Sequence, residues 1–358
     1  MRKFHSLEVA AIIPETPDAK RIRFAVPAEL KELYRYREGQ HLTLRKEIGG
    51  EELRRCYSIC SAVDEDDLSV VVRHVPGGRF SGYVAEHLAV GETIDVLPPL
   101  GHFNLPPASE GPQHFVAFAA GAGITPIMSI LKTALKSRPG SRFTLFYGNR
   151  RAESTIFRDT LSDLKNRYME RFAFYHFLSR QELEIPFFRG RLDGDKVTAI
   201  LDTLLAGVAV DDWFVCGPGG MIDEVTAALE AKGIAAAHIH SERFTNEGQP
   251  TAVSARVAER VQSHATAGRI RAILDGNAHE VDYDPARGNV LAALEAAGLD
   301  VPYSCKGGVC TTCRAKVLEG SAEMAVNYGL EPTEVEAGFI LTCQAVPTSK
   351  RLVISYDE

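Results

Sequence analysis

Four of the seven cysteines in this 358-residue chain are spaced in a way that could hold iron. Cys305, Cys310 and Cys313 lie in the run Cys305-Lys306-Gly307-Gly308-Val309-Cys310-Thr311-Thr312-Cys313, and Cys343 follows far downstream. C-x4-C-x2-C with a remote fourth cysteine is the spacing of a [2Fe–2S] centre. A single loop wraps one iron and the sulfides, and the distant cysteine completes the second iron. Gly307 and Gly308 suit such a loop, because close backbone approach lets N–H groups point at negatively charged sulfur. The alternative is a structural zinc site. Zinc ribbons usually supply two short C-x2-C knuckles, whereas here only Cys310 and Cys313 have that spacing. Cys56, Cys60 and Cys216 fall outside the set and read as small buried apolar residues.

A second chemistry lies upstream. After the apolar run Phe115-Val116-Ala117-Phe118-Ala119 comes Gly121-Ala122-Gly123-Ile124-Thr125-Pro126, which opens a helical stretch with Pro near its first turn. A strand, a Gly turn and a helix N-terminus together favour a pyrophosphate, since free N–H groups and the helix dipole both attract anions. The loop lacks the third Gly of the common dinucleotide fingerprint and is weak by itself. Two further turns strengthen it, Tyr147-Gly148-Asn149-Arg150 and Cys216-Gly217-Pro218-Gly219-Gly220-Met221. Each puts Gly at the end of a strand, where open α/β sheets bind ligands. Nearer the N-terminus, Arg54-Arg55-Cys56-Tyr57-Ser58 ends a strand and Gly77-Gly78-Arg79-Phe80-Ser81 precedes a helical stretch. Between them they offer an aromatic face, cations and helix-start N–H groups to a cofactor with a planar ring and two phosphates. Out of that context Tyr57 reads as core and Arg79 as a solvated turn residue.

The elements that must position these groups fall into three blocks. Short strands over Phe4 to Ala11, Arg21 to Val26, His41 to Arg45, Leu53 to Ile59 and Leu68 to His74, broken by Gly and Pro turns, predict a small antiparallel barrel. From about residue 114, apolar runs alternate with helical segments, the signature of βαβ units on a parallel sheet. The last block, about 90 residues from Arg269, has its own strands (Ile270 to Leu274, Leu352 to Tyr356) and a helix near Val290 to Ala297. Thr245 to Ala267, rich in Thr, Ala, Ser, Gln and charge, reads as a linker with room for a weak helix over Val253 to Val261. The expected domains are therefore 1–107, 108–244 and 268–358, with 245–267 as linker.

Composition narrows the function classes. The chain is 45% hydrophobic and 24% charged, as folded globular proteins are, and its net charge of −7 argues against a nucleic-acid partner. No stretch approaches the roughly 18 apolar residues of a membrane span, and the N-terminus lacks the apolar core of a signal peptide. A cytoplasmic protein is the expectation.

Together these motifs resemble the ferredoxin–NADP reductase superfamily. Its R-x-Y-S motif matches Arg55, Tyr57 and Ser58, and its G-x-x-S motif matches Gly78 and Ser81. Its G-x-G-I-x-P loop matches Gly121, Gly123, Ile124 and Pro126, and its C-G-P motif matches Cys216, Gly217 and Pro218. Fusion to a C-terminal [2Fe–2S] domain makes the chain similar to reductase components of multicomponent oxygenases. The resemblance implies a multidomain fold: an antiparallel β-barrel for FAD, an α/β parallel-sheet nucleotide domain and an α+β β-grasp ferredoxin domain. It implies that Tyr57 stacks on the flavin, Ser58 sits near flavin N5, Arg55 and Ser81 contact the FAD phosphates, and Cys216 lies by the nicotinamide, with Thr125 in the dinucleotide loop. Phe244, in Ser241-Glu242-Arg243-Phe244, resembles the family's terminal aromatic on the other flavin face. Arg150, Ser179, Arg180 and Arg191, near the ends of the second and third strands, resemble the 2′-phosphate pocket of NADPH-using relatives.

The implied activity is hydride transfer from NADPH to FAD and onward passage of single electrons through the [2Fe–2S] cluster to an oxygenase. The cofactors carry the bond chemistry, and the protein must position them. No acid–base or nucleophile constellation is evident, and His240 and His264 read as surface or structural residues. A cluster-bearing carrier or redox sensor, whose nucleotide site regulates rather than reacts, is the competing class.

Overall fold

A computed structural model describes residues 3–244 and 252–358, without the side chains of 252–256. The chain divides into two compact units: His5–Leu53 with Tyr57–Phe244 hold an antiparallel barrel and a parallel sheet, and the C-terminal block is grouped with Phe4 and with Arg54–Cys56 of the barrel strand β4 (Glu51–Ser58).

In the first unit, strands β1 (His5–Thr16), β2 (Ala19–Ala25), β3 (His41–Ile48), β4 (Glu51–Ser58) and β5 (Leu68–Arg73), helix α1 (Arg79–Glu86) and strand β6 (Thr93–Leu100) come first. The sheet order is β4-β3-β6-β1-β2-β5, and a bridge from Ile59 to Val70 joins its two edges into a barrel. Alternate residues turn inward, as the two-residue period of a strand requires: Ile22 and Phe24 of β2 join Leu42, Leu44, Val70 and Val72 in the core, while Arg21 and Arg23 face out. Within the barrel, β6 is the strand the sequence did not reveal. Its Pro98-Pro99 pair discourages a strand reading, and the structure accommodates the prolines where the pairing with β3 shifts register between His41 and Thr43.

The parallel sheet follows, with β7 (His114–Ala120), α2 (Ile124–Ser137), β8 (Arg142–Asn149), α3 (Arg158–Arg167), β9 (Phe172–Leu178), α4 (Gly194–Asp202), β10 (Asp212–Gly217), α5 (Gly219–Ala231) and β11 (Ile239–Arg243). Its order is β11-β10-β7-β8-β9. Helices cover both faces, so β7 is apolar from Phe115 onward: Phe115, Ala117 and Ala119 pack on the side of Ile127 and Leu131, and Val116 and Phe118 on the side of Val197 and Val225. Cys60, Val71, Phe103 and Leu105 from the barrel side enter the first of these cores, which fastens the barrel to the sheet.

The second unit contains α6 (Ala252–Ser263), β12 (Gly268–Leu274), β13 (Asn277–Tyr283), α7 (Val290–Ala296), β14 (Arg314–Glu319), β15 (Ala322–Met324), α8 (Pro332–Glu336), β16 (Phe339–Leu341), β17 (Ala345–Pro347) and β18 (Arg351–Ser355). The five-stranded sheet runs β13-β12-β18-β14-β16. Its first and last strands, β12 and β18, lie parallel in the middle, and α7 buries Val290, Leu291 and Leu294 against it. Helix α6 occupies part of the segment read as linker; positions 245–251 of that segment lie outside the described residues.

Candidate functional site

The strand order of the parallel sheet reverses between β7 and β10. From β7 the chain runs outward through β8 and β9, then returns on the other side as β10 and β11. Ligands of open α/β sheets bind at such a switch point, beyond the carboxyl ends of the strands. Both expected dinucleotide turns are there: Gly121–Gly123 follows β7, and Gly217-Pro218-Gly219 follows β10. They interlock. A Cβ on Gly123 would stand 2.2 Å from the Cys216 carbonyl oxygen and 2.8 Å from the Gly217 nitrogen, so only glycine fits. Gly121 has φ +55°, and its carbonyl accepts a 2.9 Å hydrogen bond from the Tyr147 hydroxyl. Thr125 is buried and donates to the Ala122 carbonyl at 2.9 Å, and Pro126 is buried in the first turn of α2.

The flavin-motif strand reaches the same place. Strand β4 ends on Ser58, whose Oγ donates to Glu242 Oε2 at 3.0 Å. Glu242 sits on β11, in register beside Cys216 on β10. Ser58, Cys216 and Glu242 therefore meet at the carboxyl end of the sheet, and Phe244 lies just beyond, 36% exposed. Burial pushes the Glu242 carboxyl up to about 7, against the opposing influence of His41 and the Ser58 hydroxyl. The Cys216 thiol is also pushed well up, first by burial and then by the charge of Glu242. Glu242 is the residue that sequence reasoning missed. On the edge strand β11, whose residues are half-buried or exposed, an acidic side chain carries no signal of its own in the sequence.

Tyr57 is half-buried on β4, its ring 5.9 Å from that of Phe80 in α1. Gly78 precedes α1 and has no room for a side chain, with Ser81 Oγ 2.5 Å from a would-be Cβ. The Ser81 hydroxyl is bound within its own turn, accepting from the Val75 nitrogen at 3.1 Å and donating to the Gly78 carbonyl at 3.3 Å. Arg55 Nη1 donates to the Arg54 carbonyl at 2.7 Å. Arg73, not singled out in the sequence, places its guanidinium 3.3 Å from a would-be Cβ of Gly121, beside the dinucleotide loop.

At the outer strands, the Arg180 nitrogen donates to the Arg150 carbonyl and the Ser179 nitrogen to the Asn149 carbonyl, each at 2.9 Å, which puts Arg150, Ser179 and Arg180 side by side. Arg191 follows Gly190, whose nitrogen donates to the Leu178 carbonyl at 3.0 Å. Among the described residues Arg150, Arg180 and Arg191 are exposed and form no ion pair, whereas Arg189 is gripped by Glu182 at 2.7 and 2.8 Å. His176, beneath this edge, is pushed down to about 4 by burial and by Arg158, so it is neutral at pH 7.

In the second unit the four expected cysteines converge as two pairs. The nitrogens of Gly307 and Cys310 donate to Cys305 Sγ at 3.3 and 3.4 Å, and the Cys305 nitrogen donates to Cys310 Sγ at 3.5 Å. Cys313 and Cys343 form the other pair; the Cys313 thiol bonds to Cys343, which raises the first and lowers the second. Positive φ angles at Lys306 (49°), Gly308 (75°) and Thr311 (52°) curl the loop around this set. Cys343 is clamped from behind. Asn289 caps α7 by accepting from the Ala292 nitrogen and donates to the Cys343 carbonyl, both at 2.9 Å, and Thr342 donates to the Cys313 carbonyl at 3.0 Å. Among the described residues no three His, Cys, Asp or Glu side chains gather on one ion position. Two sulfur pairs with inward N–H donors fit a two-iron cluster better than one tetrahedral zinc.

Comparison with known proteins agrees. Residues 6–105 match the oxidoreductase FAD-binding domain, residues 118–227 the oxidoreductase NAD-binding domain, and residues 272–348 the 2Fe-2S iron-sulfur cluster binding domain. The chain is 43% identical over 357 residues to a component of the 1,2-phenylacetyl-CoA epoxidase of Escherichia coli (strain K12), covering 100% of this chain and 99% of that one. It is 38% identical over 354 residues to the ferredoxin reductase component of 3-ketosteroid-9-alpha-monooxygenase of Rhodococcus rhodochrous, covering 98% and 96%. Its fold matches the solved structure of phthalate dioxygenase reductase with a TM-score of 0.59 at 23% identity, covering 98% of both chains. FAD, a nicotinamide dinucleotide and a [2Fe–2S] cluster are thus the cofactors, and the zinc alternative falls. No described helix is long and apolar enough to cross a membrane.

Proposed function

We propose, from the premise that this chain belongs to the family of oxygenase reductases that join FAD-binding, NAD-binding and 2Fe-2S domains, that it draws hydride from NADPH and feeds single electrons to the di-iron phenylacetyl-CoA epoxidase of phenylacetate breakdown. The observation that carries the chemistry is the Ser58–Glu242 hydrogen bond beside Cys216, which brings the flavin-motif strand onto the nicotinamide-motif strand. The acceptor assignment rests on the likeness to the Escherichia coli epoxidase component across the full chain. Domain borders near residues 107, 244 and 268 and a cytoplasmic location complete the reading; the cysteines form no disulfide among themselves, as a reducing compartment favours.

When bound, FAD would supply the conversion of one hydride, two electrons and a proton, into two single-electron transfers, and the cluster would carry those electrons one at a time. The chain's own residues do the positioning. Tyr57 offers a ring face and Gly78 the start of α1 to the flavin, with Arg55 as a cation for its phosphates. Gly121, Gly123, Thr125 and Pro126 shape a close-approach loop for the pyrophosphate, and Gly217 and Pro218 wall the nicotinamide side. Cys216, held as a neutral thiol, gives that side an uncharged polarisable surface. Ser58 can donate to a ring nitrogen while Glu242, titrating near neutrality, supplies or receives the proton behind it. Phe244 shields the open face. Arg150, Ser179, Arg180 and Arg191 receive the 2′-phosphate, and Cys305, Cys310, Cys313 and Cys343 hold the irons.

Anaerobic titration with NADPH tests this reading: flavin and cluster absorbance must both bleach, and the reduced protein must support turnover by the purified phenylacetyl-CoA epoxidase. Turnover with a ketosteroid monooxygenase and none with the epoxidase would move the assignment to another oxygenase. Nucleotide binding with no bleaching would favour the sensor reading.

A further inference from the structure

Gln344 follows Cys343 directly and is not one of the four cysteines. Its side-chain Nε2 lies 3.0 Å from the Lys306 carbonyl and 3.5 Å from Cys343 Sγ, so the two hydrogens of one amide reach a sulfur on the remote strand connection and the backbone of the loop carrying the other three. The Gln344 stem lies against Gly308, its Cγ 3.2 Å from where a Cβ on that residue would be. Gly308 in turn has φ +75° and gives its carbonyl to the Tyr328 nitrogen at 2.9 Å. Both contacts fall on the one amide nitrogen, which joins the sulfur to the loop. Its geometry suits a sulfur acceptor, whose larger radius puts a good N–H···S contact beyond the usual N–H···O distance.

Resting on the assignment of Cys343 as an iron ligand, we propose that Gln344 is a positioning residue that raises the reduction potential of the [2Fe–2S] cluster by donating to the Cys343 sulfur while locking it against the Lys306 loop. Reduction adds one electron and one negative charge to the group held by the four sulfurs, with no bond made or broken. A donor aimed at a ligating sulfur stabilises the more negative state more. Removing it makes the cluster harder to reduce and shifts the electron toward the flavin.

The test is a redox titration of the purified FAD- and cluster-loaded protein followed by electron paramagnetic resonance, with iron and sulfide counted in every sample. Gln344→Met keeps the length and the packing but cannot donate; Gln344→Glu loses the donor and adds negative charge. The one-electron equilibrium should move against the cluster about threefold in Gln344→Met, which at 59 mV per decade is about 28 mV, and about tenfold, or about 59 mV, in Gln344→Glu. Should the Met variant lose its cluster, the Glu variant is read alone. Unchanged potentials in loaded variants overturn the proposal, as does loss of the cluster from both, which would make Gln344 a fastening for the fold. An unmodified protein without two irons and two sulfides per chain would instead overturn the cysteine assignment beneath it.

Discussion

Glu242 is where single-residue physics has the largest consequence. Its carboxyl titrates near 7 rather than at its ordinary 4.5, chiefly because burial disfavours the charge. Between these values the folded protein binds more protons than the unfolded chain, so stability is greatest below about 4.5 and falls as pH rises through 7, by up to about 3 kcal/mol. Replacing Glu242 by Gln keeps an acceptor for Ser58 and removes the titration. Urea unfolding of the barrel–sheet unit should weaken between about pH 5 and pH 8 in the unmodified protein and flatten in Glu242→Gln; parallel profiles would reject the shift. Arg180 makes a second test. Exposed, not ion-paired among the described residues, and adjacent to Arg150 and Ser179, it is free to meet a phosphate. Arg180→Ala should lower the NADPH to NADH ratio of kcat/KM by roughly tenfold or more, the scale of a charge-assisted contact. A preference for NADH in the unmodified enzyme, or a ratio indifferent to the change, would show the pocket misplaced.

Among the elements, the two glycine loops depend on each other. Gly123→Ala drives a methyl into the Cys216 carbonyl at 2.2 Å, and since that carbonyl belongs to a central strand it has nowhere to retreat. Overpacking against backbone should cost about 3 kcal/mol or more, lowering the unit's Tm by roughly 6–12 °C, with nicotinamide affinity falling in parallel. Gly220→Ala, in α5 with open space around it, is the control and should leave both unchanged or slightly improve stability. Differential scanning fluorimetry and nucleotide titration check the pair; equal behaviour of the two variants would mean the loops do not interlock. The missed strand β6 makes the complementary point about local signals. Its prolines argue against a strand, yet its neighbours β3 and β1 on both sides and the buried Ile94 and Val96 made that strand the only way to complete the barrel wall.

For the whole molecule, most of the barrel and all of the parallel sheet form one compact unit, His5–Leu53 with Tyr57–Phe244, and this reductase half is expected to survive loss of the cluster. Cys343→Ser should leave NADPH-to-dye reduction within about twofold while electron delivery to a one-electron protein acceptor drops by at least about tenfold. Unimpaired delivery by a cluster-free variant would rule out the route through the second unit. Much of this architecture was legible in the chain, because the cysteine spacing, the glycine turns and the strand rhythms are local: each is set by what a few consecutive residues allow the backbone to do, and each positions its own loop. Apart from the joining of the remote Cys343 to its loop and of the motifs to one another, which their spacing and resemblance implied, the relations between distant segments lay beyond the sequence. The register that sets Glu242 beside Cys216, the barrel strand that delivers Ser58 to that carboxylate, the Asn289 clamp on Cys343, and the separation of the free Arg180 from Arg189 bound to Glu182 all follow from packing in three dimensions. No period or motif encodes them, since a residue's charge state and partners depend on burial and on neighbours that only the folded chain supplies.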